Sequence, residues 1–400
     1  MPKETSSPFT PGQPVSVEAF VGREEELRLL DRKAARVADG NLEVVFLSGE
    51  RGIGKTSLAR YILTVAERHH GLIGAHVYLG GVRTIEEVVR RSLDGIVKNG
   101  VDQPWYKNVA ALMGRYVRKV GLFDVTVEFQ APPEELGHLV RNFGSELGIL
   151  VEKAGDDRKG IFLVWDDING IAGSLDFANW LKSLVDGIAT SRRPVPMLLM
   201  LLGYDERRYE LISLQQSLSR VFTPVEIPAW PDEKTREFYV RAFANVDMTV
   251  EDDALRAMVE FTGGLPTLAH EIGDAAFNLA PQDTVGALVS IEAIAQAAEA
   301  VGRKYLDPQV YKAIRSEKYR SILRKIVGPE FAAGFKRREV MSDLDAAEQR
   351  VFDSFLKRMR ELGVLRQEGE AGTYNFVNRL HWLYFRMQSV GSLSAGDILP

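Results

Sequence analysis

The densest chemistry in the chain lies in Gly49-Glu-Arg-Gly-Ile-Gly54-Lys55-Thr56. This run fits G-x-x-x-x-G-K-[ST], in which glycines let backbone N–H groups turn inward and cradle phosphates. Lys55 is placed to reach β- and γ-phosphates, and the Thr56 hydroxyl to bind Mg²⁺. An apolar run, Val44–Leu47, precedes the loop and a helical pattern starts at about Lys55. The loop therefore opens a helix, whose N-terminus adds partial positive charge toward an anion. The expected ligand is ATP or ADP with Mg²⁺, bound by Gly49, Gly52, Ile53, Gly54, Lys55, Thr56 and Ser57.

A phosphate loop needs a second metal-side group at the end of a neighbouring strand, and Ile161-Phe-Leu-Val-Trp165-Asp166-Asp167 supplies one. Asp166 is the metal candidate, acting mostly through water, and Asp167 the group that orients or deprotonates an attacking water. Taken alone, two adjacent acids at a strand end also read as a solvated turn. The chain has no cysteine, which excludes disulfides, thiolate zinc sites and cysteine nucleophiles together. His69, His70, His76 and His138 show no metal-ligand spacing, and no Ser–His–Asp arrangement is apparent.

The elements that must hold these residues follow from pattern. Ile161–Trp165 and Met197–Leu202 are continuous apolar runs, as expected for strands buried on both faces of a parallel sheet. His76–Leu79 and Val225–Ile227 read as further strands, Trp105–Val120 as a helical stretch, and Val125–Phe129 as an extra strand. Strands alternating with helices over about two hundred residues argue for a doubly wound α/β domain. From Pro231 to Val364 the pattern is almost wholly helical, with Glu317–Val327, Phe335–Leu344 and Ala346–Leu362 as three helices. Val364–Gln367 and Tyr374–Val377 then form a hairpin, which together suggest a winged helix. Residues to about Val17 are rich in Pro, Ser, Thr and Gly and read as an extended or mobile arm without the apolar core of a signal peptide.

Composition sets the bounds. With 400 residues, 45% hydrophobic and 26% charged, the chain is an ordinary globular protein of two or three domains. Its formal charge of −5 gives no global attraction to nucleic acid or anionic membrane. No apolar run approaches the ~20 residues that span a bilayer, so a cytoplasmic location is expected.

Phe20-Val-Gly-Arg-Glu-Glu-Glu-Leu27, ahead of the loop, resembles a box of AAA+ ATPases of the origin-recognition-like and STAND-type branch. The resemblance implies an α/β P-loop NTPase with a parallel sheet between helices, followed by a helical lid and a winged-helix domain. It places Phe20 and Val21 against the adenine. Leu218-Ser-Arg220-Val-Phe222 is similar to the element that carries an arginine finger, whose planar guanidinium pairs with γ-phosphate oxygens of a neighbouring subunit. Gly263-Gly-Leu-Pro266 resembles the lid element whose proline packs near the base. Tyr374–His381 resembles the closing strand and helix of STAND-type winged helices, making His381 a weak nucleotide-sensing candidate. The chain departs from the pattern in ending its metal strand in Asp-Asp rather than Asp-Glu. Gly203-Tyr204-Asp205 stands where a first sensor Asn or Thr is expected, and no second-sensor Arg follows Gly264, His270 being the nearest basic group.

The expected organisation is an arm over 1–17, the nucleotide-binding domain over 18–230, a lid over 231–302, a winged helix over 303–390 and a tail over 391–400. The leading expectation is a Mg²⁺-dependent ATPase acting as a conformational or oligomeric switch, as a homo-oligomer or with a protein partner. One alternative is an ATP-dependent DNA-binding initiator or transposition-type regulator. It would use the Lys/Arg-rich stretch 303–338 and a helix exposing Arg350, Lys357, Arg358 and Arg360. The other is a nucleotide-locked scaffold with negligible turnover.

Overall fold

A computed structural model describes residues 6–13, 22–114, 116–120, 126–281, 283–331, 334–367 and 372–390. The chain divides into two compact units, Pro14–Pro228 and Met1–Gln13 together with Ala229–Pro400.

In the first unit the strands are β1 (Leu42–Ser48), β2 (Leu72–Tyr78), β3 (Val117–Val120), β4 (Thr126–Phe129), β5 (Gly160–Asp166), β6 (Met197–Gly203) and β7 (Thr223–Glu226). Five of them form one sheet in the order β2-β5-β6-β1-β7. All its pairings are parallel, with Tyr78 beside Asp166 and Ser48 beside both Gly203 and Glu226. Every residue of β5 and β6 is buried, which is why these strands read as unbroken apolar runs. Val44 and Phe46 of β1, with Leu163 and Trp165 of β5 and Leu199 and Leu201 of β6, belong to a core shared with helices Ile85–Gly100, Phe143–Ala154 and Leu175–Ala189. Residues of the opposite parity, such as Val45 and Leu47, are buried too, as are Leu30 and Ala34 of helix Glu24–Ala38 and Leu58 and Ile62 of helix Lys55–His70. Thr84 and Ser174 start two of the helices by accepting backbone N–H bonds at 3.3 and 3.2 Å.

Because all five strands run the same way, the loops after β1, β5 and β6 emerge at one edge of the sheet. Such carboxyl-end crevices are where open α/β sheets bind ligands.

The helical reading of Trp105–Val120 is corrected. A short helix, Tyr106–Leu112, ends before Gly114, and β3 pairs antiparallel with β4, Val117 opposite Phe129. Cross-strand pairing outweighs the helix pattern there.

The second unit is helical around Asp232–Ala244, Asp252–Thr262, Pro266–Leu279 and Ala287–Val301. The last helix runs on into a π-helical stretch, Gly302–Tyr311. The almost wholly helical expectation is too simple, since β8 (Thr249–Val250) and β9 (Thr284–Val285) pair in parallel. Further along, β10 (Phe335–Lys336), β11 (Leu365–Gln367) and β12 (Thr373–Phe376) form an antiparallel sheet in the order β10-β12-β11. Phe335 thus begins a strand rather than a helix, its ring stacked 5.8 Å from that of Tyr374 across the pair. Ala346–Leu362 is two helices, Ala346–Gln349 and Phe352–Glu361, broken where Val351 leaves helical geometry at φ −109° and ψ −2°.

Residues 6–13 pack rather than trail. Phe9 is 3% exposed, its ring 5.0 Å from that of Phe243 and 5.8 Å from that of Phe238, and Thr10 donates its N–H to His270 Nδ1 at 3.1 Å.

Candidate functional site at the carboxyl end of the sheet

The phosphate loop leaves β1 at Gly49 and enters the helix at Lys55. Gly52 and Gly54 hold φ of +81° and +98°, left-handed backbone that glycine takes without strain. Ile53 is buried, anchoring the loop from below. Lys55 Nζ donates to the carbonyls of Gly49 at 2.8 Å and Glu50 at 2.9 Å. Burial lowers its pKa from the ordinary lysine value, against the opposing pull of Asp166, Asp167 and Glu50.

Asp166 ends β5 and is buried, and its Oδ2 accepts from Thr56 Oγ1 at 2.8 Å. The loop and the acid strand are separated in sequence by 110 positions and by β6 in the sheet, yet their two polar ends meet. The same Oδ2 is 2.9 Å from His76 Nε2. A carboxylate only accepts, so Nε2 carries the proton. His76 Nδ1 is buried without a hydrogen-bond partner among the described residues. Tyr78 stacks on the His76 ring at 4.8 Å.

Asp167 is exposed and stands at φ +60°, a left-handed conformation for a non-glycine residue. Asn169 Nδ2 donates to its Oδ1, while Asn169 Oδ1 accepts from the Tyr204 N–H at 3.2 Å. The Tyr204 ring centroid is 5.4 Å from Lys55 Nζ.

Sequence reasoning passed over three members of this cluster. His76 was set aside for want of ligand spacing, and nothing local marks it; its role depends on β2 pairing with β5 rather than with β1. Asn169 carried no motif. Tyr204 stood out only as a departure from the expected sensor. Arg23, within the quoted box, is also buried and donates to Ile53 O at 3.4 Å, tying the box to the loop.

Phe20 and Val21 lie outside the described residues. Arg220 ends the 3₁₀ turn Gln216–Arg220, exposed and without an ion pair among the described residues. Pro266 is buried at the first turn of helix Pro266–Leu279, and His381 is half-buried in helix Arg379–Val390, both in the second unit. Burial holds the His381 and His270 rings neutral, pushing each pKa down to about 4.

A parallel five-stranded sheet between helices, a Gly-rich loop at the tip of β1 and an acid at the tip of β5 define a P-loop ATPase fold. A family model described as AAA ATPase domain matches residues 19–199, and the chain carries an AAA ATPase domain there. A search of the curated proteins finds no match. Among solved structures the chain is similar to a Walker-type ATPase of Pyrococcus abyssi, with a TM-score of 0.60 and 18% identity over 92% of this chain and 97% of that one. It is also similar to the ORC2 protein of Aeropyrum pernix in its ADPNP–ADP complexes, with a TM-score of 0.56 and 14% identity over 98% of both chains. At these identities the likeness is one of fold.

Proposed function

We propose that this protein binds ATP with Mg²⁺ at the Gly49–Thr56 loop, hydrolyses it, and uses the cycle as a conformational or oligomeric switch in the cytoplasm. The observation that carries this is the 2.8 Å meeting of Thr56 Oγ1 with Asp166 Oδ2. A hydroxyl and a carboxylate converging beside a phosphate loop are hard oxygen donors of the kind Mg²⁺ takes. Thr56, and Asp166 through water, would hold Mg²⁺, which neutralises phosphate charge when bound. The loop backbone from Gly49 to Ser57 cradles the phosphates, and Lys55 bonds their outer oxygens. Asp167, exposed beside the buried Asp166, orients or deprotonates the attacking water. Phe20, Val21 and Pro266 are assigned to the base, and Arg220 to the γ-phosphate of a neighbouring copy, a role that suits its exposure.

The lid over 231–302 and winged helix over 303–390 belong to this reading. So does a second function, ATP-licensed DNA binding. It is favoured by the three-stranded sheet β10-β12-β11 beside a helix whose Phe352, Phe355, Leu356 and Met359 are buried while its Lys357, Arg358 and Arg360, and Arg350 just before it, stay exposed.

Phosphate-release kinetics with Asp167→Asn test the first reading: nucleotide stays bound and turnover falls by ~10²-fold or more. Turnover at the wild-type rate removes Asp167 from its role. Light scattering with a non-hydrolysable analogue, beside Arg220→Ala turnover, tests assembly; a strict monomer with normal Arg220→Ala hydrolysis removes the finger. Stimulation by duplex DNA selects the second reading, and bound nucleotide with no turnover selects a locked scaffold.

A further inference from the structure

We propose that Asn169 is a positioning residue that aims Asp167 and ties it to the tip of β6; this rests on the assignment of Asp167 above. Asp167 is exposed, and an exposed aspartate ordinarily samples several rotamers. Here its Oδ1 is taken by Asn169 Nδ2. Its Oδ2 lies over Gly80, where an added Cβ would stand 3.0 Å away. The backbone of Asp167 is left-handed, a conformation that persists only where the surroundings fix it.

The orientation of the Asn169 amide follows from its two neighbours. One is a carboxylate, which only accepts, and the other is the Tyr204 N–H, which only donates. Turning the amide over would set oxygen against oxygen and N–H against N–H, so a single orientation satisfies both. Gly203 leaves room for it, since a Cβ there would stand 3.3 Å from Asn169 Oδ1. The strand β6 lies between β5, which carries the acids, and β1, which carries the loop. Tyr204 follows β6 directly and its ring faces Lys55 Nζ at 5.4 Å. Asn169 thereby joins the water-orienting carboxylate to the segment that touches the phosphate-loop lysine.

The discriminating variant is Asn169→Asp. It keeps size and keeps an acceptor for the Tyr204 N–H, but it replaces the donor to Asp167 with a second negative oxygen. Misplacement of a reacting group by about 1 Å costs ~10²-fold in rate. The expected result is kcat lower by ~10-fold to ~10²-fold, with the ATP dissociation constant within about twofold of wild type. An unchanged melting temperature is expected alongside. If Asn169 served only to brace Tyr204, Asn169→Asp would turn over normally, and that outcome overturns the proposal. Loss of ATP affinity matching the loss of turnover overturns it as well. Asp167→Asn measured beside it separates the two ideas. If Asp167→Asn stops turnover and Asn169→Asp does not, Asn169 alone loses its role. If Asp167→Asn is silent, the reading of Asp167 fails and takes this proposal with it.

Discussion

At the end of the five-stranded sheet, Asp166 shares one oxygen between Thr56 and His76, and Trp165 on the same strand donates Nε1 to Ser92 Oγ at 2.9 Å. In the helical unit, Trp230 Nε1, His270 Nε2 and His381 Nδ1 are buried without partners among the described residues. The first region keeps polar groups at the tips of parallel strands, where three loops converge and a charged ligand can enter. The second buries its polar atoms among aromatic rings; His270 lies 5.0 Å from the Phe238 ring and 6.2 Å from that of Phe9. A buried polar group costs little when paired and a good deal when not. The sheet end thus gathers paired polar groups at its strand tips, whereas the helical unit leaves the His270 Nε2 and Trp230 Nε1 atoms unpaired among the described residues.

The largest effect expected from this contrast is in Lys55→Ala. Its ammonium donates to two carbonyls of its own loop, so the fold loses little. Charge-assisted bonds to phosphate are worth ~1.5–3 kcal/mol each, so ATP affinity should fall by ~10²-fold or more while the melting temperature holds. Calorimetric titration checks this. Unchanged affinity would place the nucleotide elsewhere.

Next comes acid. The His270 and His381 pKa values stand near 4 in the folded protein, against about 6.5 unfolded. The unfolded chain takes up those protons first, so stability is intact above pH 6.5 and falls as pH drops toward 4. Each ring contributes a loss on the order of 3 kcal/mol across that window. Ring titration by NMR should give midpoints near 4 for both. A denaturation midpoint that stays flat from pH 6.5 to 4 would contradict the contrast between the units.

The contrast also marks what the sequence makes legible. The phosphate loop and the acid strand are contiguous patterns whose chemistry is complete within a few residues, so Lys55, Thr56 and Asp166 can be named from the chain alone. The buried strands show as apolar runs because both faces of a parallel sheet are covered. His76, Asn169 and Tyr204 are different, since each meets a residue far away in the sequence. The order β2-β5-β6-β1-β7 is what brings them together, and no local spacing encodes it. Val117–Val120 reads as helical for the same reason, because what makes it a strand is its pairing with β4. The N-terminal arm misled for a related reason: Pro and Ser imply an extended path, but one aromatic, Phe9, fixes residues 6–13 to the helical unit.

The smallest effects come from two tryptophans that differ in one bond. Trp165 Nε1 is paired with Ser92, which is itself fully buried and donates onward to Val88 O at 2.7 Å. Ser92→Ala removes the acceptor and strands the indole N–H in a dry core, at a cost of ~1–3 kcal/mol. Trp230 Nε1 has no such partner among the described residues. Trp230→Phe deletes the unpaired donor while keeping an aromatic face toward Phe238, whose ring is 5.3 Å away. The desolvation relieved and the apolar area given up are each ~1–2 kcal/mol and opposite in sign, so the net change should stay within about 1 kcal/mol. Denaturant unfolding of both variants decides it. If Trp230→Phe destabilises as much as Ser92→Ala, the Trp230 N–H has a partner in solution, and the contrast with Trp165 fails.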